Sequence, residues 1–416
     1  MERVFKCIKC GKEYPIDDIR YRCDCGGLLE VAQKEMPGPQ IVSIWDSRLG
    51  SKKAVDQSGV WRYREMVLDE DNPVTFPEGK TNLYTLPMRK GLFAKHEGEN
   101  PTGSFKDRGM TVGITFAKKL GFRAVACAST GNTSASMAAY AARAGLKAIV
   151  FLPSGKVAAG KLAQALAYGA TIFEINGDFD DAMRVVVEIS RDMGIYLLNS
   201  LNPVRLEGQK TIVIDMISQL DWEPPDWIIV PGGNLGNTSA FGKALRELKM
   251  AGIIEKVPRI ATIQAEGASP FYKSFKNGFK SFEPMKAETV ATAIRIGNPV
   301  NFEKAKNSII FTNGVVESVS DREILEAKVS LDSAGIGVEP ASAATLAGLR
   351  KLEKSGIIKP HEKVVLVLTG NLLKDPDIVK RIHTNEIDGF ERFKDQIIKV
   401  NPELDEIKSR LREVIQ

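Results

Sequence analysis

From Leu83 onward the chain alternates short apolar runs with stretches of helical periodicity, which restricts it to a parallel sheet with helices on its faces. The clearest strands are Ala124 to Cys127, Ala148 to Leu152, Thr171 to Ile175, Trp227 to Val230, Ile260 to Gln264 and Val364 to Leu368. Thr111 to Leu120, Ser134 to Ala144, Lys161 to Tyr168 and Phe179 to Met193 read as the helices between them. Three of the strands run into polar turns, Ala128–Asn132, Pro231–Asn237 and Thr369–Asn371. In open α/β sheets ligands bind at the carboxyl ends of strands, so three such turns point to one cleft.

At roughly 150 residues per domain, 416 residues predict two or three packed units. Lys plus Arg number 57 against 52 Asp plus Glu, with no block of like charge. That small surplus suits a small anionic substrate and speaks against nucleic acid. The first residues lack the apolar core of a signal peptide, and no apolar run approaches the ~18 residues that span a bilayer. A cytoplasmic enzyme without a membrane partner is expected. Four of the five cysteines lie within the first 25 residues, which in a reducing compartment favours metal ligation over disulfides.

Residues 1–33 hold those cysteines as Cys7-x2-Cys10 and Cys23-x-Cys25, each pair close to a glycine, and resemble a zinc ribbon. Four thiolates close a tetrahedral zinc site, and a unit this short needs such a staple. CxC in place of CxxC strains ligation by all four, so a metal-free knuckle is the alternative. Residues 34–80, with Pro37, Pro39, Pro73 and Pro77 around a short helical piece near Trp61 to Leu68, read as a wrapping arm. From about Ile387 the chain reads as a charged C-terminal helix pair with no assigned chemistry.

Lys106 carries the chemistry. It follows Asn100-Pro101-Thr102-Gly103-Ser104-Phe105 at the start of a helix, where the positive dipole end lowers an amine's pKa. In isolation such a lysine is a solvated surface charge. The surrounding segment, Asn100 to Gly109, resembles the Schiff-base segment of fold type II pyridoxal-phosphate enzymes, and within them that of the threonine synthases. The resemblance runs from about Thr81 to Pro376. It implies an α/β fold like that of the tryptophan synthase β chain, with two domains of mostly parallel sheet and pyridoxal 5'-phosphate in the cleft between them. The domains would be 34–117 with 205–384 (large, discontinuous) and 118–204 (small, mobile), flanked by the 1–33 ribbon and a 385–416 helical extension. Enzymes of this type are commonly homodimers.

On that resemblance Gly232, Gly233, Asn234, Leu235, Gly236 and Asn237 form the cup for the cofactor phosphate, where glycines let backbone amides converge and a helix start adds its dipole. The turn does not fit GxGxxG and lacks the lysine of a P-loop. Ser129, Thr130, Asn132 and Thr133 present hydroxyls, an amide and bare N–H groups to a substrate carboxylate, with Asn132 also reaching the cofactor's phenolic oxygen. The bland alternative is an N-cap by Asn132 or Thr133. Thr369 would face the pyridine nitrogen with a neutral hydroxyl, making the cofactor a weaker electron sink and the reaction more dependent on placed acid–base groups.

The substrate follows from other positions. Asn199-Ser200-Leu201-Asn202-Pro203-Val204-Arg205 resembles the threonine synthase segment whose Ser and Arg bind the substrate's phosphate, and a fixed guanidinium beside a hydroxyl suits a dianion. A surface ion pair is the alternative for Arg205. Thr289 to Pro299 resembles a stretch recurrent in threonine synthases, with no role derivable from its chemistry. Glu339 lies either near the cofactor or simply at a favourable helix start. The resemblance implies conversion of O-phospho-L-homoserine and water to L-threonine and phosphate, with Lys106 shuttling protons and Arg205, Ser200 and Asn234 stabilising the leaving group. Cysteate synthase (O-phosphoserine plus sulfite) and serine/threonine dehydratase stand as alternatives, as does a binding protein on an inactivated scaffold. One methylene separates the two phosphorylated substrates, worth only ~1–3 kcal/mol in a pocket.

Overall fold

The computed structural model describes residues 2–129, 131–154, 159–177, 179–384, 386–390 and 400–415. The chain divides into two compact units, Met1–Lys374 and Asp375–Gln416. In the second, helices Pro376–His383 and Leu404–Ile415 are described. Residues 391–399, where the first helix of the expected C-terminal pair would run, lie outside the described residues.

In the first unit the strands are β1 (Arg3–Cys7), β2 (Glu13–Pro15), β3 (Leu29–Gln33), β4 (Leu83–Thr85), β5 (Leu92–His96), β6 (Ala124–Ala128), β7 (Lys147–Pro153), β8 (Thr171–Ile175), β9 (Tyr196–Leu197), β10 (Trp227–Pro231), β11 (Arg259–Ala265), β12 (Val315–Val319) and β13 (Val364–Leu368). They build an N-terminal antiparallel sheet, β2-β1-β3, a six-stranded sheet, β12-β11-β10-β13-β5-β4, and a four-stranded sheet, β8-β7-β6-β9. The four-stranded sheet is parallel throughout, and the six-stranded one is parallel except for β4 at its edge.

Alternation explains why the central strands read as continuous apolar runs. In β10, Ile228 and Val230 enter one core cluster, while Trp227 and Ile229 enter the cluster on the opposite face. β13 divides likewise, Val365 and Val367 against Val364, Leu366 and Leu368. Side chains of period two, buried on both faces, leave no polar phase to read.

The sequence missed β5 and β12 because each carries polar residues. Lys95 in β5 is fully buried on Asp215, at 2.7 Å, and Glu317 and Ser318 interrupt β12. The helix whose periodicity reads only from Thr111 starts at Lys106, where the segment before it places the helix start. It is buried without a break from Asp107 to Ala117, so it has no polar stripe to announce it. Its partner, Pro203–Gln209, lies so close that a Cβ on Gly208 would fall 1.7 Å from the Arg108 carbonyl oxygen.

Candidate active site

Because β10, β13 and β5 are parallel neighbours, their carboxyl ends open at one edge. From that edge leave the Gly232–Asn237 turn, the Thr369–Asn371 turn and the segment leading to Lys106. The last two are clipped together: Phe105 N–H donates to the Thr369 carbonyl (3.0 Å) and Asn371 N–H to that of Gly103 (2.9 Å).

Lys106 is the first residue of its helix, and its amine is lowered from 10.5 to about 7. Burial is the principal cause and the Arg205 guanidinium the second, with Glu339 opposing both. Desolvation thus acts here beyond the helix dipole that the sequence suggested. Asp107 fixes the preceding turn by accepting from Thr102 N–H (2.7 Å) and Thr102 Oγ1 (2.5 Å), and it also accepts from Ser136 Oγ (2.5 Å) on the neighbouring helix Asn132–Ala144. Arg108 locks the same helix from beneath, donating to both Glu97 oxygens at 2.7 Å and to Asp215 at 2.9 Å. These charges are fully buried, so deleting one partner would strand the others.

The glycine turn has the donor set of an anion cup. Among the described residues none accepts from the backbone N–H groups of Gly233, Asn234, Leu235, Gly236 or Asn237, and Leu235 takes the left-handed conformation (φ 62°) just before helix Gly236–Met250. Five free amides at a helix start fit a phosphate. Gly232 and Gly233 also answer to packing: a Cβ would meet Thr262 Cγ2 at 2.6 Å and Ile294 Cα at 3.1 Å, so the Thr289–Pro299 stretch backs the cup.

A buried carboxylate joins two of the predicted cofactor residues. Glu339 accepts from Asn132 Nδ2 at 3.0 Å and from Thr369 Oγ1 at 3.4 Å, and Thr369 shares a second hydroxyl contact with Ser342 (3.1 Å). Glu339 fills both places that the sequence allows it: it stands at a helix start, before Pro340, and it also faces the site. The N-cap alternative for Asn132 and Thr133 fails. Gly131 occupies the cap, no side chain caps it, and Asn132 is turned toward Glu339. Ser129 Oγ accepts from Gly131 N–H at 3.3 Å. Thr130 lies outside the described residues.

Arg205 is 1% exposed on helix Pro203–Gln209, which Asn202 caps through Val204 N–H. The surface ion pair is therefore excluded. Among the described residues the guanidinium meets no carboxylate: Nη1 donates to the Leu198 carbonyl (2.9 Å) and Nε has no partner. Burial lowers its pKa from 12.5 to about 10. Ser200 and Asn234 are drawn to a common point, since Asn301 Nδ2 donates to both of their carbonyls, at 3.1 and 3.3 Å. No local signal marks Asn301, which lies just past the Thr289–Pro299 stretch.

In the N-terminal sheet the four Sγ atoms of Cys7, Cys10, Cys23 and Cys25 lie within 4.8 Å of one another. Cys23-Asp24-Cys25 closes onto Gly26 (φ 78°) and Gly27, where a Cβ would strike Cys7 Sγ at 2.7 Å. The CxC spacing thus brings in all four thiols.

Residues 74–370 match the family described as pyridoxal-phosphate dependent enzyme. The chain belongs to this family. Its relatives include the threonine synthases of Methanocaldococcus jannaschii and Methanosarcina acetivorans, 51% and 50% identical over 90% of this chain and 94% and 93% of theirs. They set it in the threonine synthase branch of the pyridoxal-phosphate dependent enzymes. Among solved structures, Escherichia coli threonine synthase superposes with a TM-score of 0.69 at 18% identity, covering 93% of this chain and 89% of that one. Maize serine racemase does so at 0.63 and 19%, covering 85% and 98%. The fold is that of fold type II pyridoxal-phosphate enzymes, and pyridoxal phosphate is the family's cofactor.

Proposed function

We propose that this chain is a threonine synthase, releasing phosphate from O-phospho-L-homoserine and adding water to give L-threonine. The observation that carries the reading is Arg205, a buried guanidinium with no carboxylate partner among the described residues. A buried charge without a counter-ion is costly unless a ligand supplies one, and a phosphate dianion does. A dehydratase acting on serine or threonine needs no such group.

Bound pyridoxal phosphate supplies an electron sink for negative charge developing on the substrate carbons. The free amides from Gly233 to Asn237 would hold its phosphate, Lys106 would anchor it, and Thr369 would present its hydroxyl to the ring nitrogen. Lys106 Nζ, lowered to about 7 by burial, is poised to take protons from Cα and Cβ and to deliver them at Cγ, which becomes the methyl group of threonine, and back at Cα near neutral pH. Ser129, Asn132 and Thr133, around the start of helix Asn132–Ala144, would receive the α-carboxylate together with Thr130 of the same sequence segment. When the Cγ–O bond breaks, the phosphate departs toward Arg205, Ser200 and Asn234, and water then adds at Cβ.

The same reading carries a cytoplasmic homodimer with a small anionic amino acid as its partner, and neither nucleic acid nor membrane. Among the described residues no helix is long and apolar enough to cross a membrane. It also carries zinc on the cysteine cluster. A tetrahedral site with Zn–S near 2.3 Å has sulfurs about 3.8 Å apart, and the pairs Cys7–Cys25, Cys10–Cys23 and Cys10–Cys25 stand at 3.6, 3.5 and 3.5 Å.

The test is phosphate and threonine release from O-phospho-L-homoserine, run beside O-phosphoserine with sulfite. Turnover of the first alone is expected; turnover of the second alone overturns the reading.

A further inference from the structure

Asn301 takes no part in the assignments above, yet it occupies the junction of the two segments that would hold the substrate's phosphate. It is 1% exposed, at the cap position of helix Phe302–Phe311. Its Nδ2 donates to the Ser200 carbonyl (3.1 Å) and to the Asn234 carbonyl (3.3 Å), and its backbone N–H also donates to Asn234 O (3.2 Å). Its own carbonyl accepts from Ala305 N–H at 2.9 Å and from Ser239 Oγ at 3.4 Å, which ties the residue to the helix that begins at the cup. The preceding Val300 N–H approaches Asn234 Oδ1 at 3.5 Å. An amide whose oxygen faces a backbone N–H presents its NH2 end the other way, and NH2 is the end that suits a phosphate.

We infer that Asn301 is a positioning residue for the substrate's phosphate, holding Ser200 and Asn234 at one fixed separation beside Arg205. The inference rests on the threonine synthase reading and deepens it. Ser200 follows β9 of the four-stranded sheet, whereas Asn234 follows β10 of the six-stranded sheet. Two ligands on different sheets keep their spacing only if something ties the loops together. One side-chain amide with two N–H donors aimed at two carbonyls is that tie. It acts on the substrate subsite and leaves the cup's free amides, which would hold the cofactor phosphate, unengaged.

The test compares the wild-type holoenzyme with Asn301→Ala and with the isosteric Asn301→Asp, which keeps the volume and places oxygens against both carbonyls. Three quantities are read: the cofactor absorbance band, the dissociation constant for inorganic phosphate, and KM and kcat with O-phospho-L-homoserine. The expected result is an unchanged cofactor band, at least a tenfold rise in the phosphate dissociation constant and in KM, and a smaller fall in kcat. In a Ser200→Ala background the effect of Asn301→Ala should be smaller than in the wild type, because one of the two groups it positions is gone. An unchanged phosphate constant, loss of the cofactor band in both variants, or a full multiplicative effect in the Ser200→Ala background would overturn the inference. Failure of the functional reading is distinguishable: the wild type then releases no phosphate from O-phospho-L-homoserine, while the inorganic-phosphate measurement still decides the role of Asn301.

Discussion

Replacing Arg205 by Met should make the cofactor-free protein more stable and the enzyme nearly useless. The guanidinium is fully buried and its pKa falls from 12.5 to about 10, so the folded state holds the proton more weakly than the unfolded chain does. Below about pH 10 both states are protonated, so the full cost is present across the neutral range and does not vary with pH there. At 1.36 kcal/mol per pKa unit that cost is on the order of 3 kcal/mol. Against it stands the Nη1 bond to the Leu198 carbonyl, worth about 1–1.5 kcal/mol. Methionine conserves much of the buried volume and adapts to irregular space. The net expectation is a gain of about 1–2 kcal/mol, read as a higher urea midpoint for the cofactor-free protein at pH 7. In the holoenzyme, whose cofactor fills the glycine cup, inorganic phosphate at 100 times its dissociation constant should stabilise the wild type by ~2.7 kcal/mol and leave Arg205→Met unmoved. With O-phospho-L-homoserine, kcat/KM should fall roughly 10²–10³-fold, the usual effect of removing one donor from a developing anion. A variant less stable than wild type that still gains stability from phosphate would refute the argument, because Arg205 would then be a structural cation with a partner.

Three further outcomes follow from the geometry. Capture of pyridoxal phosphate by the cofactor-free protein needs a neutral Lys106 amine, so its rate should rise with pH and level off above about 7, whereas an ordinary lysine keeps rising toward 10.5; stopped-flow absorbance reads this, and Arg205→Met should move the midpoint upward by removing a neighbouring positive charge. Metal analysis of protein purified without chelator should find one zinc per chain, and Cys25→Ser should lose it, the second position of CxC being a full ligand if all four thiols converge. Gly208→Ala should cost more than ~4 kcal/mol or abolish folding, since its Cβ would sit 1.7 Å from a backbone oxygen; a soluble variant with a wild-type melting temperature would show that the two helices are free to part.

How much of this was legible in the sequence depended on where each signal lay. β10 and β13 announced themselves as uninterrupted apolar runs because both faces are buried, and their chain order fixed which turns would meet. Lys106 and the glycine turn were found by contiguous motif. β5 was lost because a buried Lys95 looks like a surface residue until Asp215, 120 positions away, is brought to it. The start of the Lys106 helix is marked by the segment before it and not by periodicity, because full burial erases amphipathic phase. The CxC spacing misled in the opposite sense, since local spacing ignores the freedom that Gly26 and Gly27 give the second pair.

The same distinction separates the residues that perform chemistry from those that place it. Lys106, Asn234, Arg205 and Thr369, to which the proposed function gives the chemistry, sit in segments whose neighbours in the chain are also their neighbours in space, and such segments can be read one at a time. Glu339 and Asn301 act between segments: Glu339 meets Asn132 across 207 positions, and Asn301 meets Ser200 across 101 and Asn234 across 67. Neither has a spacing that local chemistry would demand, because the distance that matters is set only after the sheets have formed. Glu339 was still noticed, since a carboxylate before a proline at a helix start is locally meaningful. Asn301 offered nothing of the kind. Single buried side chains that join two or more functional loops should therefore be sought in the structure by what their amides and carboxylates bridge.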